Sequence, residues 1–548
     1  MAGNMSNKLR SEAGVQARTS GVQGRRWQGD VQSLVYDEAG IKACLNRLDQ
    51  PVYVVEQNGR IGFTNAGYEA VDGALPLIGA TLSLQPEQLG DATFREDYGV
   101  KLAYASGAMA NAIASVELVN AMGGAGLLSS FGSAGVIGPR LEAAIQQIQT
   151  ALPNAPYAVN LIHSPSEEAM ERRAVELLLQ YGVTIVEASA FLDLTAHVVR
   201  YRAAGLSVDA QGGIVIKNRL IAKVSRREVA QKFMESAPDR LLQPLVDAGL
   251  ITAEQMQLAR RVPMADDVTV EADSGGHTDN RPLVVILPSI LSLRDELQAK
   301  HNFAKPVRVG AAGGIGTASS ALAAFMMGAA YVVTGSINQS CTEAGASAHT
   351  KKLLSEADMA DVSMAPAADM FEMGVKVQLL KRGTMFPMRA QKLYDLYREY
   401  ESVEAIPPAE LEKIEKQILK RPVNDIWRDT VAYFTERDPE QIQRAADNPK
   451  RKMALIFRWY LGLSSRWSNS GEQGRELDYQ IWCGPSMGAF NAWVKGSYLQ
   501  DPANRHVTDV AWQIMTGAAY LYRVQNLKIQ GLVFAPIYES YVPQSRLR

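Results

Sequence analysis

From about residue 101 the chain settles into a rhythm: a short apolar run, a turn, then a stretch with apolar residues at helical spacing. The runs are residues 102–105, 157–162, 183–186, 220–224, 268–270, 283–287, 307–310 and 331–334. Strands alternating with helices predict a parallel sheet, and eight such units closing on themselves predict an α/β fold of the TIM (β/α)8 barrel kind. An open doubly wound sheet is the competing arrangement. It would place a G-x-G-x-x-G turn after the first strand, and none is there.

The pattern differs on either side of this rhythm. Residues 1–35 are rich in Ser, Gly, Gln and Arg without periodicity, which predicts a flexible tail. Residues 36–100 carry two β-rich runs, 51–55 and 61–64, around Gln57-Asn58-Gly59, a hairpin signal that predicts a small N-terminal β module. The barrel is expected over 101–340. Residues 341–505 hold amphipathic stretches and Trp427, Trp459, Trp467, Trp482 and Trp493, which predicts a large helical subdomain packed on the barrel mouth after strand 8. Within 506–548, residues 510–524 are apolar at helical spacing and are expected to return to the barrel as its closing helix.

Composition narrows the function classes. With 56 Lys and Arg against 58 Asp and Glu the net charge is −2, which offers no general attraction to nucleic acid or to a membrane surface. Cys44, Cys341 and Cys483 are distant and odd in number, which argues against a disulfide framework or a zinc site and suits the cytoplasm. No segment has the apolar length needed to span a bilayer. No metal site is expected.

The candidate chemistry gathers where strands end. In Glu271-Ala272-Asp273-Ser274-Gly275-Gly276-His277-Thr278-Asp279-Asn280-Arg281-Pro282, an apolar run gives way to two glycines and a histidine. In a parallel barrel the C-terminal tips of the strands carry the active site, so His277 is the candidate catalytic group, and Gly275 and Gly276 let a flat ligand approach the backbone. Gly313 and Gly314 follow the run at 307–310, and Gly335 and Ser336 follow the run at 331–334. Glycine loops after the last two strands are the usual phosphate cradle of this fold. Ser106-Gly107-Ala108-Met109 end the first run, where small residues serve either a planar ring system or close helix packing. Asn160 could pair with a cofactor ring edge or cap a turn, and Lys223 could meet an anion in the mouth or snorkel to solvent. His163 is a second histidine candidate and reads better as a cap to the next helix. Cys341 reads as a packed bystander thiol.

These residues resemble a known family. Residues 105–126, Val159-Asn160-Leu161-Ile162, 272–277 and Ala311-Ala312-Gly313-Gly314-Ile315 are similar to the nitronate monooxygenase and flavin-dependent enoyl reductase superfamily. Residues 271–282, 335–339, 364–372 and 482–491 resemble the narrower PfaD-type group, the trans-acting enoyl reductases of polyunsaturated fatty acid synthases and of polyketide synthases without built-in acyltransferases. The resemblance implies NADPH-dependent, FMN-mediated reduction of the α,β double bond of an enoyl chain on an acyl carrier protein. By resemblance, His277 would polarise the thioester or assist proton transfer. Asn160 and Lys223 would hold the isoalloxazine over the backbone of Ala108 and Met109, and Gly313, Gly314, Gly335 and Ser336 would take the phosphate. The helical region, absent from simpler members, is a candidate carrier-protein dock, as are the basic clusters Lys381-Arg382 and Lys450-Arg451-Lys452. Barrels with large apolar covers often pair, so a homodimer is a candidate state. The alternatives are a nitronate monooxygenase, and a non-catalytic scaffold with a vestigial barrel.

Overall fold

The computed structural model describes residues 9–10, 13–17, 24–136, 138–163 and 168–547. Its centre is a closed barrel of eight parallel strands: β1 Tyr104–Ser106, β2 Leu128–Phe131, β3 Ala158–Ile162, β4 Ile185–Ser189, β5 Arg219–Val224, β6 Asp267–Glu271, β7 Arg308–Ala312 and β8 Val332–Thr334. Closure is made by β8 on β1, with Val332 opposite Tyr104 and Thr334 opposite Ser106.

The barrel has its expected eight strands, but two assignments change. Leu128-Ser129-Ser130-Phe131 forms β2, which the apolar pattern misses because two of its four buried residues are serines. Asn160 therefore lies on the third strand, not the second. Conversely, residues 283–287 are helical, opening α2 (Leu283–His301) behind an N-cap at Pro282. Val284 and Val285 face solvent while Ile286, Leu287 and Ile290 are buried, a helical spacing that five consecutive apolar residues conceal.

The end of the barrel opposite the strand tips is closed by polar pairing. Arg308, first residue of β7, makes a two-pronged bond to Asp267, first residue of β6, at 2.7 and 2.8 Å, and reaches Asp97 at 2.6 Å. Phe94 of the same short helix as Asp97 stacks on Tyr331 with ring centroids 4.3 Å apart.

The N-terminal module is a sheet built on strands 52–57, 60–64 and 75–81, and its hairpin turns at Asn58 and Gly59 with φ of 53° and 76°, the left-handed pair of a type I′ turn. The expected tail at 1–35 is corrected over much of its length. Arg26–Gln28 is a strand of this sheet, and Trp27 is fully buried with its indole N–H donated to Ala66 C=O at 3.0 Å. Gln16–Ala17 pairs with Leu532–Val533. An unpatterned sequence concealed these pieces because their partners lie far along the chain. Residues 1–8, 11–12 and 18–23 lie outside the described residues.

After β8 the chain leaves the barrel for a long insertion and returns as α6 (Val507–Ile529), which packs against α3 (Ala318–Met326) and α1 (Val116–Gly124). Gly517 permits the approach: a Cβ there would come within 2.6 Å of the Ala318 Cβ. Arg523 of α6 is buried and donates to backbone carbonyls of Leu45, Arg47, Leu48 and Gln50, tying the N-terminal module to the barrel. The insertion holds a two-stranded hairpin, β9 (Val362–Pro366) and β10 (Lys376–Leu380), and several helices, including α4 (Pro449–Ser470) and α5 (Ser486–Val494). It has its own core around Phe371, Leu393, Ile426, Phe457 and Tyr460. Among the described residues no helix is long and apolar enough to cross a membrane.

Candidate functional site

The C-terminal tips of β1 and of β3 to β8 bring the candidate residues to one mouth. At its floor the charges form a chain. Glu187 on β4 is buried and accepts the Ala108 N–H through both carboxylate oxygens, each at 3.3 Å. Lys223 on β5 places Nζ 3.9 Å from Glu187 and 3.4 Å from Glu271 at the end of β6, and Glu271 accepts from Ser274 Oγ at 3.1 Å. Burial pushes the Glu187 carboxyl up, against the pull of Lys223. Burial works against the Lys223 charge, yet Glu271 and Glu187 hold it above the usual lysine value. Asn160 on β3 spends both side-chain amide hydrogens inside this floor, on Glu187 C=O at 2.9 Å and Ser189 Oγ at 2.7 Å, and its backbone carbonyl accepts from Ser133 Oγ, which leaves the side-chain oxygen Oδ1 for a ligand. The backbone at Ala108 and Met109 is similarly committed: the Ala108 amide is turned to Glu187, and the Met109 carbonyl accepts from Ala114 N–H at 3.2 Å.

The glycine loops form one rim. Gly313 and Gly314 have φ of 77° and 74°, and a Cβ on Gly313 would lie 2.7 Å from the Ala272 carbonyl carbon. A Cβ on Gly314 or on Gly335 would meet nothing within 4 Å, so both line open space. Ser336 opens a short 3₁₀ segment, Ser336–Ser340, and its hydroxyl accepts Gly484 N–H at 3.0 Å. Small, side-chain-free backbone beside the tips of β7 and β8 fits an anionic phosphate, whose oxygens need amide donors at close range.

The loop after β6 forms the adjoining rim, since β6 pairs with β7 and Ala272 packs against Gly313. His277 is half-buried, with Nε2 3.1 Å from Asp369 Oδ1. Burial alone would lower the imidazole, but Asp369 outweighs it and holds the ring above its ordinary value, and the partner carboxyl is held below its own. Gln378 of β10 grips the loop by donating to Asp273 Oδ1 and Ser274 C=O, both at 2.7 Å. Gly275 packs against backbone: a Cβ there would lie 2.8 Å from Cys483 N. Trp482 stands beside Gly276, and its carbonyl accepts from the Gln339 side chain. Asp279 closes the loop onto β5 through Ser225 Oγ at 2.7 Å and a two-pronged bond from Arg226. Four non-glycine residues with left-handed φ, Asn111, Ala112, Ala190 and Asn280, lie on loops at this end of the barrel, where strain accompanies function.

Two sequence candidates fall outside this rim. His163 gives Nδ1 to Glu171 of the following helix at 2.7 Å and stacks on Phe191; the adjoining residues 164–167 lie outside the described residues. Cys341 is fully buried, and burial pushes its thiol up, away from the thiolate a nucleophile needs. The basic cluster at 450–452 is turned inward: Lys450 Nζ bonds Tyr400 C=O and lies 3.4 Å from Glu401, and Lys452 pairs with Glu404 at 2.8 Å. Glu187 and Asp369 were not among the expected site residues, although Asp369 lies within the motif at residues 364–372. Glu187 had a usable signal, a carboxylate closing the apolar run Ile185-Val186, the same kind of interruption that flags Lys223.

Residues 102–399, the barrel and part of the insertion, match the family model of nitronate monooxygenase. The chain belongs to the nitronate monooxygenase family. Residues 27–80 match the N-terminal domain of fatty acid synthase subunit PfaD, and residues 400–479 match the inserted helical domain of [acyl-carrier-protein] S-malonyltransferase. Within the family the chain groups with the PfaD-type proteins. It is 47% identical over 535 residues to one of the polyunsaturated fatty acid synthase subunits of Thraustochytrium sp., covering 96% of this chain and 35% of that one. It is 46% identical over 444 residues to the polyketide biosynthesis protein PksE of Bacillus subtilis, covering 80% of this chain and 58% of that one. The chain thus spans about a third and somewhat over half of these relatives. The crystal structure of the enoyl reductase domain of MlnA, from the macrolactin biosynthesis cluster of Bacillus amyloliquefaciens, matches with a TM-score of 0.77 and 38% identity, covering 81% of this chain and 99% of that one.

Proposed function

We propose that the protein is an oxidoreductase of the enoyl reductase type, which uses NADPH and FMN to saturate the α,β double bond of enoyl chains carried on acyl carrier protein domains of a fatty acid or polyketide synthase. The observation that carries this reading is the placement of His277, held through Nε2 by a carboxylate, on the loop of β6 that adjoins the glycine cradle of β7 and β8. The 38% identity to the MlnA enoyl reductase domain supports the same chemistry.

FMN, when bound, would relay hydride from NADPH to the β-carbon. The amides at Gly313, Gly314, Gly335 and Ser336 would bind its phosphate. The Asn160 side-chain oxygen and the Lys223 ammonium would meet its ring edge, over the backbone of Ala108 and Met109. Gly275, closed on the Cys483 backbone, and Gly276, beside Trp482, would keep the His277 loop thin beside a flat ring. A protonated His277 would donate to the thioester carbonyl oxygen through Nδ1 and hold the proton destined for the α-carbon. Trp482, from the insertion, would cover the rim and exclude water. The partners on this reading are carrier-protein domains in the cytoplasm, with a second copy of the chain as the oligomeric partner.

The test is to incubate an enoyl chain loaded on carrier protein with the holoenzyme and NADPH and to weigh the acyl chain. A gain of two hydrogens supports the proposal. An unchanged chain, with an alkyl nitronate consumed in air without NADPH, assigns the nitronate monooxygenase reaction instead.

A further inference from the structure

The loop bearing His277 belongs to two units at once. It leaves the tip of β6, yet Gly276–His277 forms a two-residue strand antiparallel to β10, with Gly276 opposite Gln378 and His277 opposite Val377. The backbone of the candidate catalytic residue is therefore an edge of the insertion's own sheet. The side chain is captured by the same unit. Residues 367–375 connect β9 to β10 in a turn closed by Ala367 N–H to Val375 C=O at 2.9 Å, and Asp369 in that turn meets His277 Nε2 at 3.1 Å.

The turn is itself pinned to the helical core. Phe371, two residues past Asp369, is fully buried, with its ring 5.4 Å from Tyr394, 5.2 Å from Tyr397 and 6.4 Å from Phe457. Glu372 follows and pairs with Arg458 of α4 at 3.2 Å. An aspartate on a free turn would wander with it. One fixed within two residues by a buried aromatic and within three by an ion pair has a defined position.

We infer that Asp369 is the positioning residue for His277: it holds Nε2, sets the ring's orientation and leaves Nδ1 as the nitrogen presented to substrate, so that the insertion after β8 completes the active site that the barrel begins. The chemistry rests on the reading above, in which His277 handles the proton. The geometry does not depend on that reading. A ring nitrogen bonded to a carboxylate fixes the tautomer of the neutral ring and favours the imidazolium, which suits a group that must present a proton at the other nitrogen. The charged groups facing His277 are Asp369 from the insertion, Glu271 from β6 and Lys223 from β5, with Arg458 facing Asp369 from α4. If Asp369 served only its turn, removing its charge would leave the imidazole's titration where it is.

The experiment uses the full-length protein with 13C-labelled histidine, assigning the His277 signal by its loss in His277→Gln. Its titration is followed by NMR in wild type, Asp369→Asn and Asp369→Glu, without substrate. Asp369→Asn is expected to move the His277 midpoint to lower pH, and Asp369→Glu to restore part of the difference. With NADPH and a short enoyl thioester, Asp369→Asn is expected to lower kcat/KM by up to about 10²–10⁴-fold, the worth of a proton-handling group, with flavin content unchanged. A midpoint unmoved in Asp369→Asn overturns the inference whatever the activity does. A midpoint that moves in a protein whose wild type reduces no enoyl thioester leaves the pair standing and removes the reductase reading instead. Should Asp369→Asn lose its near-UV circular dichroism, Asp369→Glu alone decides: a midpoint identical to wild type there contradicts a bond of fixed reach.

Discussion

Lys223 Nζ stands 3.4 Å from Glu271 Oε1 at the paired tips of β5 and β6, and the same ammonium lies 3.9 Å from Glu187 of β4 on its other side. One cation therefore compensates two half-buried or buried carboxylates on neighbouring strands. Replacing it, as Lys223→Met, leaves Glu187 and Glu271 facing each other without a counter-charge. The expected cost is about 3–5 kcal/mol, the range for removing one partner of a buried ion pair. Urea unfolding of the flavin-free variant measures it; a loss within about 0.5 kcal/mol would mean that solvent already screens the site.

Gly275 and Cys483 set the thickness of the rim. The Cβ of Gly275→Ala would fall 2.8 Å from Cys483 N and 3.0 Å from its Cα, both backbone atoms with no rotamer to yield. The insertion must then lift from the loop, at an expected cost of about 1–3 kcal/mol. Because the loop adjoins the cradle through Ala272 and Gly313, the variant is expected to release flavin faster than wild type in a dilution assay. An unchanged release rate would separate this contact from the site.

The pH dependence follows from the His277–Asp369 pair, with the sign worked out for each partner. The His277 value is raised, so its favourable charged form is complete below the ordinary imidazole range and is lost as pH rises through the raised value. The Asp369 value is lowered, so its contribution is complete above the ordinary carboxylate range and is lost only as pH falls through the depressed value. Activity on a small enoyl thioester is therefore expected to hold through neutral pH and to fall on an alkaline limb that lies above the ordinary imidazole range. In His277→Gln the limb should disappear, along with about 10²–10⁴-fold of the rate. A limb that persists in His277→Gln belongs to another group.

At the far end of the barrel, Arg308 joins Asp267 and Asp97 with almost no exposure, and none of the three lies near a strand tip. Arg308→Met is expected to cost about 3–5 kcal/mol in urea unfolding while leaving KM for NADPH unchanged. A shift in KM without loss of stability would reverse the assignment of the two ends.

Much of the barrel was legible because its signal is local. Apolar runs such as 220–224 and 331–334 sit at strand positions, and glycines after the last two strands mark the cradle by position alone. The errors have local causes as well. Leu128-Ser129-Ser130-Phe131 buries two hydroxyls, so hydropathy passes over β2, whereas residues 283–287 are apolar on every side and read as strand until solvent exposure at Val284 and Val285 reveals the helix. Asp369 lies in the motif at 364–372, but its pairing with His277 was illegible for a different reason. It lies 92 residues from His277, and only the pairing of β10 with Gly276–His277 brings the two together. Glu187 was within reach, since its backbone is paired opposite Asn160 on an otherwise apolar strand.

Passage of hydride from NADPH through bound flavin to an enoyl thioester is tested most directly by anaerobic titration of the purified protein with NADPH, followed by flavin absorbance, with a short enoyl thioester added afterwards. The absorbance is expected to bleach with NADPH and to recover when the thioester is added. Flavin that does not bleach with NADPH, or that bleaches and stays reduced when the thioester is added, would contradict it.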